Sequence, residues 1–105
     1  MQTTTNPHPD VPLPPGTASS DDWQSGPTYP SYRIINGADR GIDGTEVEVW
    51  TSATQFADGS IDTDDDPPAV RVRSSWEDGI TAGQARQLAR ALIAAADEID
   101  GWVVK

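Results

Sequence analysis

ITAGQARQLARALIAAADEIDGW, residues 80 to 102, is the stretch on which the fold turns. Thr81 and Gln84 stand in the T-x-x-Q spacing of a capping box. In that motif the threonine hydroxyl accepts from the Gln84 amide, and the Gln84 side chain accepts from the Thr81 amide. Ala85, Leu88, Ala89, Leu92, Ala96, Ile99 and Val103 follow at spacings of three and four, which predicts one apolar face. Arg86, Arg90, Ala94, Asp97 and Glu98 take the opposite side and are expected to meet water. Gly101 suits the left-handed residue that ends a helix.

The charges on this helix run against its dipole. Arg86 and Arg90 lie near the amino end, and Asp97, Glu98 and Asp100 near the carboxyl end. The macrodipole favours the reverse order by about 0.3 to 1 kcal/mol per exposed charge. Packing of an apolar face outweighs such a term. The competing reading is that these charges face a partner.

An amphipathic helix needs a sheet to close on, and the preceding chain supplies strands. Thr45 to Phe56 alternates, with Val47 and Val49 pointing one way and Glu46, Glu48 and Trp50 the other. Ala69 to Trp76 places Val70 and Val72 inward and Arg71 and Arg73 outward, with Trp76 sharing the parity of the valines. Were the two strands neighbours, Glu46 and Glu48 would pair with Arg71 and Arg73. Ser31 to Ile35, closed by the Asn36-Gly37 turn signal, predicts a further strand. Residues 38 to 44 form a polar connector, Ala57-Asp58-Gly59 a reversal, and Ser60 to Thr63 a short returning strand. Asp64-Asp65-Asp66-Pro67-Pro68 is expected as an exposed loop. The predicted class is α+β: a small antiparallel sheet of three or four strands, with one carboxy-terminal amphipathic helix on its valine face.

Residues 1–22, rich in Pro, Thr, Ser and Asp, read as a disordered tail, and residues 23–105 as a single α+β domain. Pro12-Leu13-Pro14-Pro15 has the look of a proline-rich ligand motif, a composition that short tails commonly share.

Composition removes several kinds of chemistry. The 105 residues contain no cysteine, which excludes disulfides, thiol nucleophiles and cysteine-ligated zinc. Seventeen acidic residues against seven basic ones give a formal charge of −10, which repels phosphate backbones and anionic lipid. Direct nucleic-acid binding is therefore not expected. No apolar run is long enough for a membrane span, and no secretory signal is recognised, so a cytoplasmic protein is expected. Asp62, Asp64 and Asp66 have the D-x-D-x-D spacing of a calcium loop. Pro67 occupies the place of the required glycine, and Arg73 that of the bidentate glutamate, so no metal site is assigned. The one histidine, His8, lies in the tail and Lys105 is terminal, which leaves a serine or threonine nucleophile without a base. Gly37, Gly41 and Gly44 make no phosphate-binding loop. No catalytic residue and no cofactor is predicted, and the chain reads as no enzyme.

What remains is an aromatic and acidic surface. Trp50, on the sheet face away from the helix, is either covered by the Trp23 to Tyr32 segment or exposed as an anchor for another protein. Trp102 is expected to close the end of the helix. Candidate partner-binding residues are Trp50, Trp23, Tyr32, Asp64, Asp65 and Asp66.

Asp21-Asp22-Trp23-Gln24, TQFADGSID (Thr54 to Asp62) and the helix from Ile80 to Trp102 together resemble small uncharacterised proteins of mycobacteria and their phages. A looser likeness reaches small Streptomyces proteins of unknown function. Those usually carry Cys and His near the amino end; this chain has no Cys, so no metal role is carried over. The resemblance implies an actinobacterial or mycobacteriophage cytoplasmic protein and brings no activity with it. Three readings follow: a non-enzymatic acidic interaction module acting on an unknown protein partner, a nucleic-acid-mimicking inhibitor of a DNA- or RNA-binding protein, and a self-associating structural protein, that is, a homo-oligomer.

Overall fold

The computed structural model describes residues 11–74 and 79–103. Its strands are β1 (Thr17–Ser20), β2 (Gln24–Gly26), β3 (Tyr29–Gly37), β4 (Arg40–Gly41), β5 (Glu48–Phe56) and β6 (Ala69–Arg73), followed by one helix, α1 (Ala82–Val103). The six strands form one sheet, paired antiparallel throughout. The architecture is α+β, as predicted, with six strands rather than three or four.

The register explains the surplus. β1 and β2 lie end to end against β3, at Ile35–Gly37 and Tyr29–Tyr32. Ser52 pairs with both Asn36 of β3 and Ala69 of β6, so β3 and β6 take opposite edges of β5. Val49 pairs with both Arg40 and Val72, so β4 continues the line of β3. The sheet is thus four rows wide. The predicted return at Ser60 to Thr63 is a single bridge, Gln55 to Ile61.

Residues 11–22, assigned by composition to a tail, lie against the body instead. Thr17 to Ser20 add a strand, and the proline-rich stretch is tied down through its carbonyls. Val11 O accepts from Arg33 Nη2 at 3.1 Å, Pro12 O from Gln55 Nε2 at 2.9 Å, and Pro15 O from Trp102 Nε1 at 2.9 Å. Proline lacks an N–H but keeps its acceptor, so the stretch needs donors, and the body supplies three. The connector from residue 38 is also less polar than its composition suggests: Ile42 is buried in the core.

The helix begins as the capping box requires. The Thr81 amide donates to Gln84 Oε1 at 2.8 Å, and the Gln84 amide to Thr81 Oγ1 at 3.1 Å. Its other end differs from expectation, because Gly101 is helical and α1 continues through Trp102 to Val103.

The larger correction concerns which flank meets the sheet. Gln84, Gln87, Leu88, Ala91, Ala95, Glu98, Ile99, Trp102 and Val103 are buried or half-buried, whereas Ala85, Ala89, Leu92 and Ala96 are exposed. The helix is rotated away from its most apolar side. Ala91 and Ala95 let it approach Ile42, Val47 and Val49 closely, with Val70 and Leu88 filling the margin. Gln84, Gln87 and Glu98, polar in sequence, each find a partner there. Asp43 N donates to Gln87 Oε1 at 3.1 Å, and Gln84 Nε2 donates to Asp43 O at 3.0 Å. Glu98, expected in water, is reached by Thr51 Oγ1 at 2.6 Å and by Arg40 Nη2 at 3.3 Å. A Cβ on Gly37 would collide with the Glu98 carboxylate and the Thr51 hydroxyl, so glycine makes room for this bond.

A second cluster, Ile35, Ala53, Ile61 and Trp102, closes the end of the helix, as expected for Trp102. Val47, Val49 and Val70 lie inward, but Val72, predicted inward, is 44% exposed because β6 is an edge strand that the helix only partly overlaps. Of the predicted cross-strand pairs one forms, Arg73 to Glu48 at 3.0 Å. Arg71 lies opposite Trp50 and donates from Nε to Ser52 Oγ at 3.0 Å. Trp76, His8 and Lys105 lie outside the described residues.

Candidate interaction face

Strand alternation sorts the side chains of the sheet into two sets. Arg33, Ile35, Val49, Thr51, Ala53 and Gln55 are buried on the helix side. Tyr32, Ile34 and Asn36 of β3, Trp50, Ser52, Thr54 and Phe56 of β5, and Arg71 and Arg73 of β6 share the other face, in register. The helix leaves this outer face open, and its large side chains are only half-buried.

One end of the outer face is an open groove of about 360 Å³, lined by Tyr29, Tyr32, Ile34, Phe56, Asp62, Asp65 and Asp66 among others. The Tyr29 and Tyr32 rings stand 5.7 Å apart, tilted by 57°, within the range of favourable aromatic pairs. The acidic wall is built by Asp62, whose carboxylate accepts from the amides of Asp64, Asp65 and Asp66 at 2.9, 3.2 and 3.1 Å. It winds the loop into a turn by local side-chain-to-backbone bonding. Thr54 Oγ1 then donates to Asp66 Oδ2 at 2.8 Å, which draws the loop over the strand. Asp62 and Asp66 are thereby engaged in holding shape. Among the described residues no group of three or more His, Cys, Asp or Glu is disposed to hold a metal ion.

The neighbouring reversal uses the same device. Gly59 adopts a φ of 91°, a conformation that glycine tolerates best. Asp58 Oδ1 accepts from the Ser60 hydroxyl at 2.6 Å and from its amide at 2.9 Å. These bonds, the hydroxyl first, hold the Asp58 carboxyl below its usual range.

Trp50 lies at the other end of the face, with the Arg73 guanidinium 5.2 Å from its ring centre. It borders an open hollow of about 300 Å³ with Ser19, Asn36, Gly37 and Asp39. Phe56 lies six positions beyond Trp50 along β5, about 20 Å at the rise of a strand. Trp50 and Tyr32 therefore do not form one anchor.

Trp23 stands apart from both. Its ring packs beneath the Arg33 guanidinium at 4.5 Å, and Arg33 belongs to the helix side. It does not cover Trp50. Arg33 Nε donates to Gln55 Oε1 at 2.8 Å, and burial lowers the pKa of its guanidinium.

Of the six predicted residues, the structure joins Tyr32, Asp65 and Asp66 in one groove. It leaves Asp64 in the adjoining loop, Trp50 at the far end and Trp23 on the opposite side. Sequence reasoning missed Tyr29, Ile34 and Phe56. The parity of Tyr32 and Trp50 pointed to Ile34 and Phe56, while Tyr29 carries no such signal. Among the described residues no helix is long and apolar enough to cross a membrane. No protein-family model, no curated protein and no solved structure matches this chain.

Proposed function

We propose that this chain is a non-enzymatic acidic interaction module, of actinobacterial or phage origin, that receives a protein partner on its outer sheet face. The observation that carries the reading is the groove at Tyr29, Tyr32 and Phe56, where aromatic rings and Asp65 border the same open space. Rings supply large contact area at little cost in side-chain entropy, and carboxylates set the charge of what they accept. A segment presenting an arginine or lysine beside an apolar residue has the complementary chemistry. Trp50, half-buried under Arg73, gives the same face a second contact point.

The test is recovery of a partner from mycobacterial lysate by the full chain and by two variants. Tyr32→Ala is expected to lose the partner, and Trp50→Ala to weaken its recovery. Equal recovery by wild type and both variants would take the outer face out of consideration.

A further inference from the structure

We infer that the exposed flank of α1 pairs with the same flank of a second copy of this chain, the two helices running antiparallel. Its apolar residues are uncovered: Ile93, 63% exposed, stands at the centre, and Leu92, 36% exposed, and the exposed Ala85, Ala89 and Ala96 lie to one side of it. Exposed apolar surface of this kind marks an interaction site when charges frame it. Small side chains beside Leu92 and Ile93 let two helix axes approach closely.

The charges name the occupant. Arg86, Arg90, Asp97 and Asp100 are all exposed. At about 100° per residue, Arg86, Ile93, Asp97 and Asp100 fall within about 60° of one another around the helix, and Arg90 borders them. Arg86 stands seven residues before Ile93 and Asp100 seven after; Arg90 stands three before and Asp97 four after. With Ile93 on a twofold axis between antiparallel helices, Arg86 of one copy lies level with Asp100 of the other, and Arg90 within one residue, about 1.5 Å, of Asp97. The twofold repeats both pairs, so four opposite-charge pairs flank the Ile93 contact. A parallel arrangement would instead set arginine against arginine.

Pairing also resolves the order of charges along the helix. Within one chain the arginines sit at the wrong end of the dipole. In an antiparallel pair they lie beside the carboxyl end of the second helix, where positive charge is favoured. The helix of 22 residues is about 33 Å long. One such contact lies at the small end of specific interfaces, and each copy carries a charge of −10, so the dimer is weak and reversible.

This surface lies on the side of the molecule away from the outer sheet face, so the two proposals fail independently. The experiment is sedimentation velocity of the full chain over a wide concentration series. Wild type is expected to pass from monomer to dimer, and Trp50→Ala to behave identically. Ile93→Glu is expected to weaken association about tenfold or more. The decisive pair is Arg86→Glu/Arg90→Glu and Asp97→Arg/Asp100→Arg. Each is expected to be monomeric alone, with an unchanged circular dichroism spectrum because all four positions are exposed, and an equimolar mixture is expected to dimerise. A monomeric wild type overturns the inference, even if these substitutions abolish capture of some other protein. So does a dimer that survives in both charge variants, or a mixture that stays monomeric.

Discussion

The two faces of the sheet are made by the same strands and hold their side chains by different means. On the helix side, aliphatic groups and Trp102 close into two clusters, and long polar chains among them are tied: Arg33 to Gln55, Arg40 to Glu98 beside Thr51, Gln55 to Pro12 O. On the outer side the rings of Tyr32, Trp50 and Phe56 remain half in water. The covered face is therefore where stability is concentrated, and the open face is where side chains can be exchanged at little cost. Ring size did not choose between the faces. Close approach did, because Ala91 and Ala95 fit against β5 where a larger chain would hold the helix off.

The sharpest break of that contrast is Trp102→Ala, which empties a cluster whose tryptophan is 2% exposed and frees Pro15 O. Chemical denaturation should show a loss of about 3 to 5 kcal/mol. Glu98→Ala strands Arg40 and Thr51 and should cost about 2 to 3 kcal/mol by the same measurement. A loss near zero would return Glu98 to the solvated side where the periodicity had put it.

Two matched substitutions sharpen the assignment of flanks. Ala95→Leu overfills a site that is fully buried, for about 1 to 3 kcal/mol. Ala89→Leu, on the exposed flank, should stay within about 0.5 kcal/mol of wild type. The reverse order would mean that the helix docks by its more apolar side. Thr81→Ala removes the hydroxyl of the capping box and should lower stability by about 1 kcal/mol. On the open face, Trp50→Ser should change the melting temperature least of all, since that ring is only partly withdrawn from water.

Much of the architecture is local and was legible. The capping box, the alternation of Val47, Val49 and Trp50, and the aspartate-rich loop each depend on neighbours in the chain, and each stands where the pattern put it. The candidate site was legible in part. Parity set Trp50 on the face away from the helix, but that Tyr32 shares this face, and how far away it lies, depends on register, which no single strand encodes. The strand at Thr17–Ser20 was hidden because its residues are polar and its energy comes from backbone bonds to β3.

By itself the sequence determined the class of the fold, the start of the helix and the acidic, cysteine-free character of the surface, since these follow from composition and from contacts a few residues apart. Only the tertiary structure decided which flank of the helix is buried. Periodicity counts apolar residues, whereas docking also credits a glutamine or glutamate that meets a partner and an alanine that permits close contact. Those partners, Asp43, Thr51, Arg40 and the carbonyl of Pro15, lie far away along the chain and come within reach only once the sheet has formed.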